Sequence, residues 1–441
     1  MTMEQYFDSL AAIVQQSLRA GERFTATFDA EDTDFVRMNR GKVRQPGTVS
    51  QRYLSVRLIE ASRHAEHTLS LSGDLAADGA AVRDAVSGLR AALGDLADDP
   101  LLLLPSEVHS SRSVRDDVLP PSEAVIDEVL DAAKGADLVG IYAAGPVYRG
   151  FANSEGQRNW HATTAFNLQW SLYHRTDKAV KSGYAGFAWD AQAFEHKMAQ
   201  ARERLALIGR PSRSLEPGKY RAYLTPSAME EIAATLCWGG FSARALATKQ
   251  SSLDKMQEGA ALDPRVSLVE DTQGGVAPAF QADGFARPSR VPLIEHGRLV
   301  GSLVSPRTAR EFGLVENGAN GAEMPESLAM AGGTLAADDA LAALDTGLAV
   351  GNLHYLNYSD RPACRITGMT RFATFWVESG KVVAPVDVLR FDDTVYRLLG
   401  ANLEALTAET EFILDAGTYQ SRQLASVRLP GALVKEMAFT L

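Results

Sequence analysis

The chain has 441 residues, 46% hydrophobic and 22% charged, enough for two or three domains of ordinary globular composition, which excludes a disordered or coiled-coil protein. Forty-four lysines and arginines against 55 aspartates and glutamates give a formal charge of −11, unlike a general nucleic-acid binder. Two cysteines, Cys237 and Cys364, exclude a disulfide framework and a four-cysteine zinc site. The first thirty residues carry Glu4, Asp8 and Glu22 without a continuous apolar core, and no apolar run approaches the ~20 residues of a bilayer span. A soluble cytoplasmic protein is expected.

In chain order, Tyr6, Phe7, Leu10, Ala11, Val14 and Leu18 recur at helical steps, so 3–20 reads as an amphipathic helix stopped by Gly21. From 24 to 71 the pattern alternates: Tyr53, Ser55, Arg57 and Ile59 share one strand face, and Leu54, Val56 and Leu58 the other. Turns at 39–41 and 45–47 would make this an antiparallel meander. Helices are expected at 78–98 and 121–134, strands at 137–150, 159–174 and 181–189, and a helix at 190–208. The stretch 209–218 concentrates proline, glycine and serine and reads as a linker. Beyond it come a strand at 219–224 and a helix at 226–238, with Thr225 as cap and Pro226 in the first turn. Short strands follow from 264 onward, with helices at 336–345 and 394–405. Helices and strands do not alternate regularly, so the expected fold is α+β. It comprises an N-terminal domain over 1–208, with an antiparallel sheet and helices, and a mostly-β, barrel-like domain over 219–441.

The side chains by themselves name no reaction. None of the eight histidines begins an HExxH or HExxxH pattern, and His64 and His67, three apart in a strand, face opposite sides. There is no G-x-S-x-G elbow. Cys237 shares a helical face with Met229, Ile232, Ala233 and Leu236 and reads as a buried thiol. Cys364 lies in a more polar, arginine-flanked setting, which would favour a thiolate, but no paired histidine is in view. Gly274-Gly275 and Gly332-Gly333 read as turns. Glu230-Glu231 reads as the solvated face of its helix, because adjacent helical positions point ~100° apart.

Ordered motifs carry more. Val269-Glu270-Asp271-Thr272 is followed by Asp283-Gly284, a Leu293-Ile294 hairpin closing through Gly297 and Leu299, and Thr308 to Gly313. After these come Thr367-Gly368, Phe375-Trp376-Val377-Glu378, Gly380 and Ala384-Pro385-Val386, while Asn153-Ser154-Glu155-Gly156 stands in the first half. This succession resembles the TldD/PmbA family, once called modulators of DNA gyrase and regarded as peptidase subunits. The resemblance covers 140–390 and, in layout only, the first 140 residues.

In that family, TldD-type chains hold zinc on a His-Glu-x-x-x-His helix with a cysteine near the C-terminus. TldE-type (PmbA) chains lack those ligands and pair with the former. Here no histidine lies between His196 and His296, which brackets the helix expected to carry the motif. No cysteine follows Cys364, and 415–421 stands where the third ligand would be. The resemblance therefore implies a TldE-like subunit, with no cofactor or catalytic residue of its own. It also implies zinc on a TldD-type partner and unfolded or modified small peptides as substrates. Self-dimerisation is the alternative to that partner. The chain departs from the family text at Glu270-Asp271, Thr370-Arg371 and 391–394. Arg371, Phe375, Trp376, Asn153 and Ser154 are the candidate cleft- or partner-facing residues. A buried hairpin whose aromatics fill the core is the competing account of 367–378. A stand-alone peptide-binding or scaffolding homodimer is the second functional expectation, and a hydrolase using Cys364 or Cys237 the third.

Overall fold

The computed structural model describes residues 1–175 and 178–440. Helix α1 (Met3–Gln16) begins with a capping box: the Thr2 hydroxyl accepts from the Gln5 amide, and the Gln5 side chain accepts from the Thr2 amide. Its apolar stripe of Tyr6, Phe7, Leu10, Ala11 and Val14 is buried. An antiparallel meander follows, β1 (Glu22–Asn39), β2 (Lys42–Glu60) and β3 (Arg63–Ser70), then α2 (Leu75–Leu93), capped by Asp74. After β4 (Ser111–Arg115) and α3 (Ser122–Ala132), three strands complete the sheet: β5 (Asp137–Asn153), β6 (Arg158–Arg175) and β7 (Lys178–Gly186). The order is β3-β2-β1-β5-β6, with β4 and β7 both laid against the far side of β6.

Strand alternation divides this sheet into unlike faces. Phe28, Met38, Tyr142, Phe166, Leu168 and Trp170, all even-numbered, lie on an apolar face. It is covered by α1 and α2 at one end, where Phe7 stacks on Phe28 and Trp160. At the other end α3 and α4 (Ala191–Ile208) cover it. The odd-numbered face carries the buried polar groups: Thr33, Asn159, His161, Thr163 and Asn167 are buried beneath segments from the second half of the chain. The His161 Nε2 donates to the Val276 carbonyl (3.1 Å) and the Asn167 amide to that of Leu414 (3.1 Å), so buried donors are satisfied across the two halves.

The second sheet begins at β8 (Gly218–Leu224) and continues through β9 (Leu268–Glu270), β10 (Val291–Glu295), β11 (Arg298–Leu299), β12 (Ser327–Met330) and β13 (Gly347–Asp360). It ends with β14 (Arg365–Glu378), β15 (Lys381–Pro385), β16 (Arg390–Thr394), β17 (Leu403–Leu414) and β18 (Ser426–Phe439). Because β8 pairs with both β13 and β18, the strands β8-β13-β14-β16-β18 close on themselves, the barrel-like part of the domain. Helix α5 (Pro226–Cys237) packs Ala228, Met229, Ile232, Ala233 and Leu236 into that core. The α+β, two-sheet architecture matches the sequence expectation. The halves also share a core, in which Trp170 and Phe194 cluster with Tyr223, Phe375, Val377 and Leu433. The stretch 209–218 is docked as well, the Arg213 amide donating to the Pro385 carbonyl (2.8 Å).

Several local expectations are corrected. Pro46-Gly47 makes no turn; β2 runs straight through it, pairing Val36 with Pro46. Proline is tolerated there because β3 begins its pairing only at Tyr53, so the earlier part of β2 is a sheet edge. The helix expected at 394–405 shrinks to one π-helical turn at Arg397–Ala401, since β17 takes over at Leu403. Strand β4 was not legible, being five mostly polar residues held by β6 alone. Cys364 is fully buried rather than polar, and burial pushes both thiols up to about 12, so neither is a thiolate at neutral pH. Glu230 and Glu231 are half-buried and face the other half of the molecule, not open solvent.

Candidate functional site

Helix α5 is fixed at its start by Thr225, whose hydroxyl accepts from the Ala228 amide (3.3 Å) and donates to the Gly351 carbonyl on β13 (2.6 Å). With one face in the core, Ser227 and Glu230 are left to look across a gap at β7 of the N-terminal sheet. The gap is walled on one side by Asn352 of β13 and Glu411 and Phe412 of β17. On the other side stand Gln169 of β6 and Lys181 of β7. It is a constriction of about 30 Å³. Through Gln169 and Lys181 it opens into a mouth of about 670 Å³ over the odd-numbered face of β1, β5 and β6. The loop at 415–418 roofs the same face over Ile141, Ala143 and Asn167.

Electrostatically the constriction is a carboxylate cluster with one cation. Burial raises the Glu230 carboxyl to about 7, with Glu231, Asp415 and Glu411 pushing the same way and Lys181 opposing. Glu411 is held by an ion pair to Lys197. A carboxyl titrating near neutrality can accept or release a proton at physiological pH. No thiol stands beside it, since both cysteines lie in the core.

Because Glu230 binds its proton more tightly folded than unfolded, it stabilises the fold fully below its ordinary value of 4.5. That contribution is lost as pH rises through about 7. Glu230→Gln is therefore expected to match the native chain at pH 4 and to exceed it in stability by ~1–2 kcal/mol at pH 8. The measurement is urea unfolding of both proteins across that range. The raised carboxyl of Glu270, also near 7, is common to both and cancels in the difference. A pH-independent difference would mean that Glu230 is solvated.

The family resemblance expected metal ligands on 226–240 and 415–421, and the fold brings these segments to one cleft, where Glu230 senses Asp415. The groups that meet are the four carboxyls of Glu230, Glu231, Glu411 and Asp415 and the Lys181 ammonium, with a single imidazole, that of His354 on β13, near enough to act on Glu231, and no thiolate. A zinc ion prefers nitrogen and sulfur donors, and the Lys181 charge opposes any cation, so this donor set does not suit zinc. Among the described residues no group of three His, Cys, Asp or Glu side chains is placed to share a metal ion.

Of the residues named from sequence, Arg371 lies across from Asn352, which lines the constriction. Arg371 is exposed, and residues opposed across a ladder share a face. Its neighbours fill cores, because β14 is buried on both sides: Phe375 lies in the core shared by the halves, and Trp376 packs on Tyr220 beneath the Arg213 guanidinium. Asn153 and Ser154 form the turn from β5 to β6, where the Asn153 Oδ1 accepts from the amides of Glu155 and Gln157 (3.0 Å each). That turn meets Asp283-Gly284: the Gln157 side chain donates to the Gly284 carbonyl (2.7 Å), and Arg57 pairs with Asp283 at 2.6 Å. Gly284 has φ +91 and rests on the Phe151 ring, 2.4 Å from where a Cβ would sit, so only glycine fits. Two of the sequence motifs thus clamp the halves together. Lys181, Asn352 and Glu411 were not singled out, since no local pattern marks a strand residue whose partner lies far along the chain, 49 positions for Lys181 and Glu230.

Residues 217–441 match the family model of the PmbA/TldA metallopeptidase C-terminal domain. No curated protein matches the chain. Among solved structures, the fold is similar to that of TldE from Thermococcus kodakarensis (TM-score 0.79, 13% identity, 99% of this chain and 100% of that one). It is also similar to candidate modulators of DNA gyrase from Thermotoga maritima (0.76, 14%, 100% of both chains) and Bacteroides thetaiotaomicron (0.75, 15%, 99% and 98%). No helix among the described residues is long and apolar enough to cross a membrane.

Proposed function

Because the chain belongs to the PmbA/TldD metallopeptidase family, we propose that it serves as the TldE/PmbA-type subunit of a two-chain peptidase acting on unfolded or modified small peptides. The partner, a TldD-type chain, holds the zinc and supplies the chemistry at it. The observation that carries this reading is the cleft between α5 and the 415–421 segment. It brings together the segments on which the family resemblance expects metal ligands, yet the described residues lining the constriction offer carboxyls and Lys181 and include no histidine or cysteine.

In this reading the chain's own residues enclose and orient the peptide. Among the described residues β7 pairs with β6 alone, so its outer edge has no ladder partner beside the constriction. An extended peptide is held by adding to such an edge, while a folded domain has no free strand to offer. Glu230 and Lys181 supply a proton-exchanging group and a fixed cation on facing walls of the constriction.

The test is purification of the tagged chain from its native host, with zinc determined by elemental analysis. A stoichiometric second chain bearing a His-Glu-x-x-x-His helix, and zinc in proportion to it, is the expected result. A metal-free homodimer without peptidase activity would replace this reading by a stand-alone peptide-binding or scaffolding role. Zinc on this chain alone would overturn the ligand argument.

A further inference from the structure

We propose that the wide mouth of the cleft selects extended peptide segments carrying acidic side chains, an inference that rests on the peptide-cleft reading above. Its rim carries three cations from three strands: Arg37 on β1, Arg44 on β2 and Lys181 on β7. All three are exposed, and among the described residues none forms an ion pair or hydrogen bond through its charged group. In a chain with eleven more carboxylates than cations, three exposed cations without an ion-pair partner gathered around one concavity mark a place left for an external anion.

The backbone builds this arrangement. The β1–β2 ladder shifts register between Arg37 and Met38, so Arg44 and Gln45 together oppose Arg37. Such a bulge re-aims a side chain, here bringing Arg44 to the rim of the mouth alongside Arg37. Val139 and Ile141 of β5 form an apolar floor between the arginines and Lys181. Crossing from β1 through β5 and β6 to β7 takes three strand spacings, ~14 Å, which an extended chain covers in about four residues. Lys181 is the one cation shared with the constriction, where it also feels Glu230 and Glu231; the arginine side of the mouth has no such carboxylates lining it. The cleft is therefore polar along its length, with cations at the mouth and carboxylates inside.

The full chain, with whatever partner co-purifies, is titrated by fluorescence anisotropy into a rhodamine-labelled unstructured peptide bearing two glutamates about four positions apart. Its Glu→Gln and Glu→Lys counterparts are the comparisons. The glutamate peptide is expected to bind about tenfold tighter than the glutamine one at low salt, about 1.4 kcal/mol. That preference should fade toward 1 M salt, where the screening length drops to ~3 Å. Arg37→Gln, Arg44→Gln and Lys181→Gln together should remove it. Equal binding of the glutamate and glutamine peptides overturns the charge selection and leaves the subunit reading to the zinc experiment. A preference that survives the triple substitution overturns the assignment to these cations. Failure of all three peptides to bind counts against both readings.

Discussion

Arg422→Met is expected to lower stability by ~3–5 kcal/mol in urea unfolding. Arg422 is 6% exposed, and its guanidinium donates to the carbonyls of Gly145 on β5 and Ala165 on β6, each at 2.9 Å. Burial pulls its pKa down to about 10, still well above neutrality, so the side chain is a cation inside the molecule. The charge that favours it is Glu31 on β1, 2% exposed, whose carboxylate also lies 3.4 Å from the Arg422 amide. Methionine keeps most of the volume but leaves two buried carbonyls unpaired and a buried carboxylate without its counter-charge, the situation in which removing one partner is most costly. Glu31→Gln in the same background should recover part of the loss, because it removes the stranded charge. The site gives the prediction a second readout. Arg422 ties the segment that roofs the cleft to the N-terminal sheet, so its loss should expose 415–425 to limited proteolysis before the rest of the chain. A change within ~0.5 kcal/mol would mean that this segment is held by other contacts.

Phe375→Ala is expected to cost ~3–5 kcal/mol, and Arg371→Ala, four residues away on the same strand, less than ~0.5 kcal/mol. Phe375 is 4% exposed in the core shared by the two halves, so truncation leaves a cavity where the halves meet. Arg371 is exposed, has no carboxylate partner among the described residues, and lies 5.2 Å over the Phe372 ring. Should the alanine at 375 leave stability intact while weakening peptide or partner binding, the aromatic would belong to the cleft and not to the core. The opposite pattern at 371, a large stability loss, would deny it a place on the cleft surface.

These contrasts show where the sequence was legible. Alternation over 24–71 and 137–189 was enough for the long strands, because a strand half-buried on one face repeats its polarity every second residue. The helices expected at 3–20 and 226–238 announced themselves through helical spacing and, for the second, through Thr225, which caps it as its position implied; the first ends at Gln16, short of Gly21. The edge proline at 46, the π-turn at 397–401 and the parallel strand at 111–115 were not readable, because each depends on which neighbour lies alongside. Glu230-Glu231 was misread for the same reason: a polar pair on a helix face is solvated unless another domain covers it.

The sequence by itself determined the α+β class, the division into two sheets, the family text of the second half, and the stretches free of histidine between His196 and His296 and of cysteine beyond Cys364. Those are properties of residue type and local period. Only the tertiary structure decided that the Asn153 and Asp283 motifs clamp the halves together, that Phe375 and Trp376 serve cores, and that Lys181, Glu230, Asn352 and Glu411 share one cleft. The physical reason is that burial and charge act through space. A carboxyl's pKa and a side chain's exposure are set by segments up to hundreds of residues away, and no local pattern records which of them will arrive.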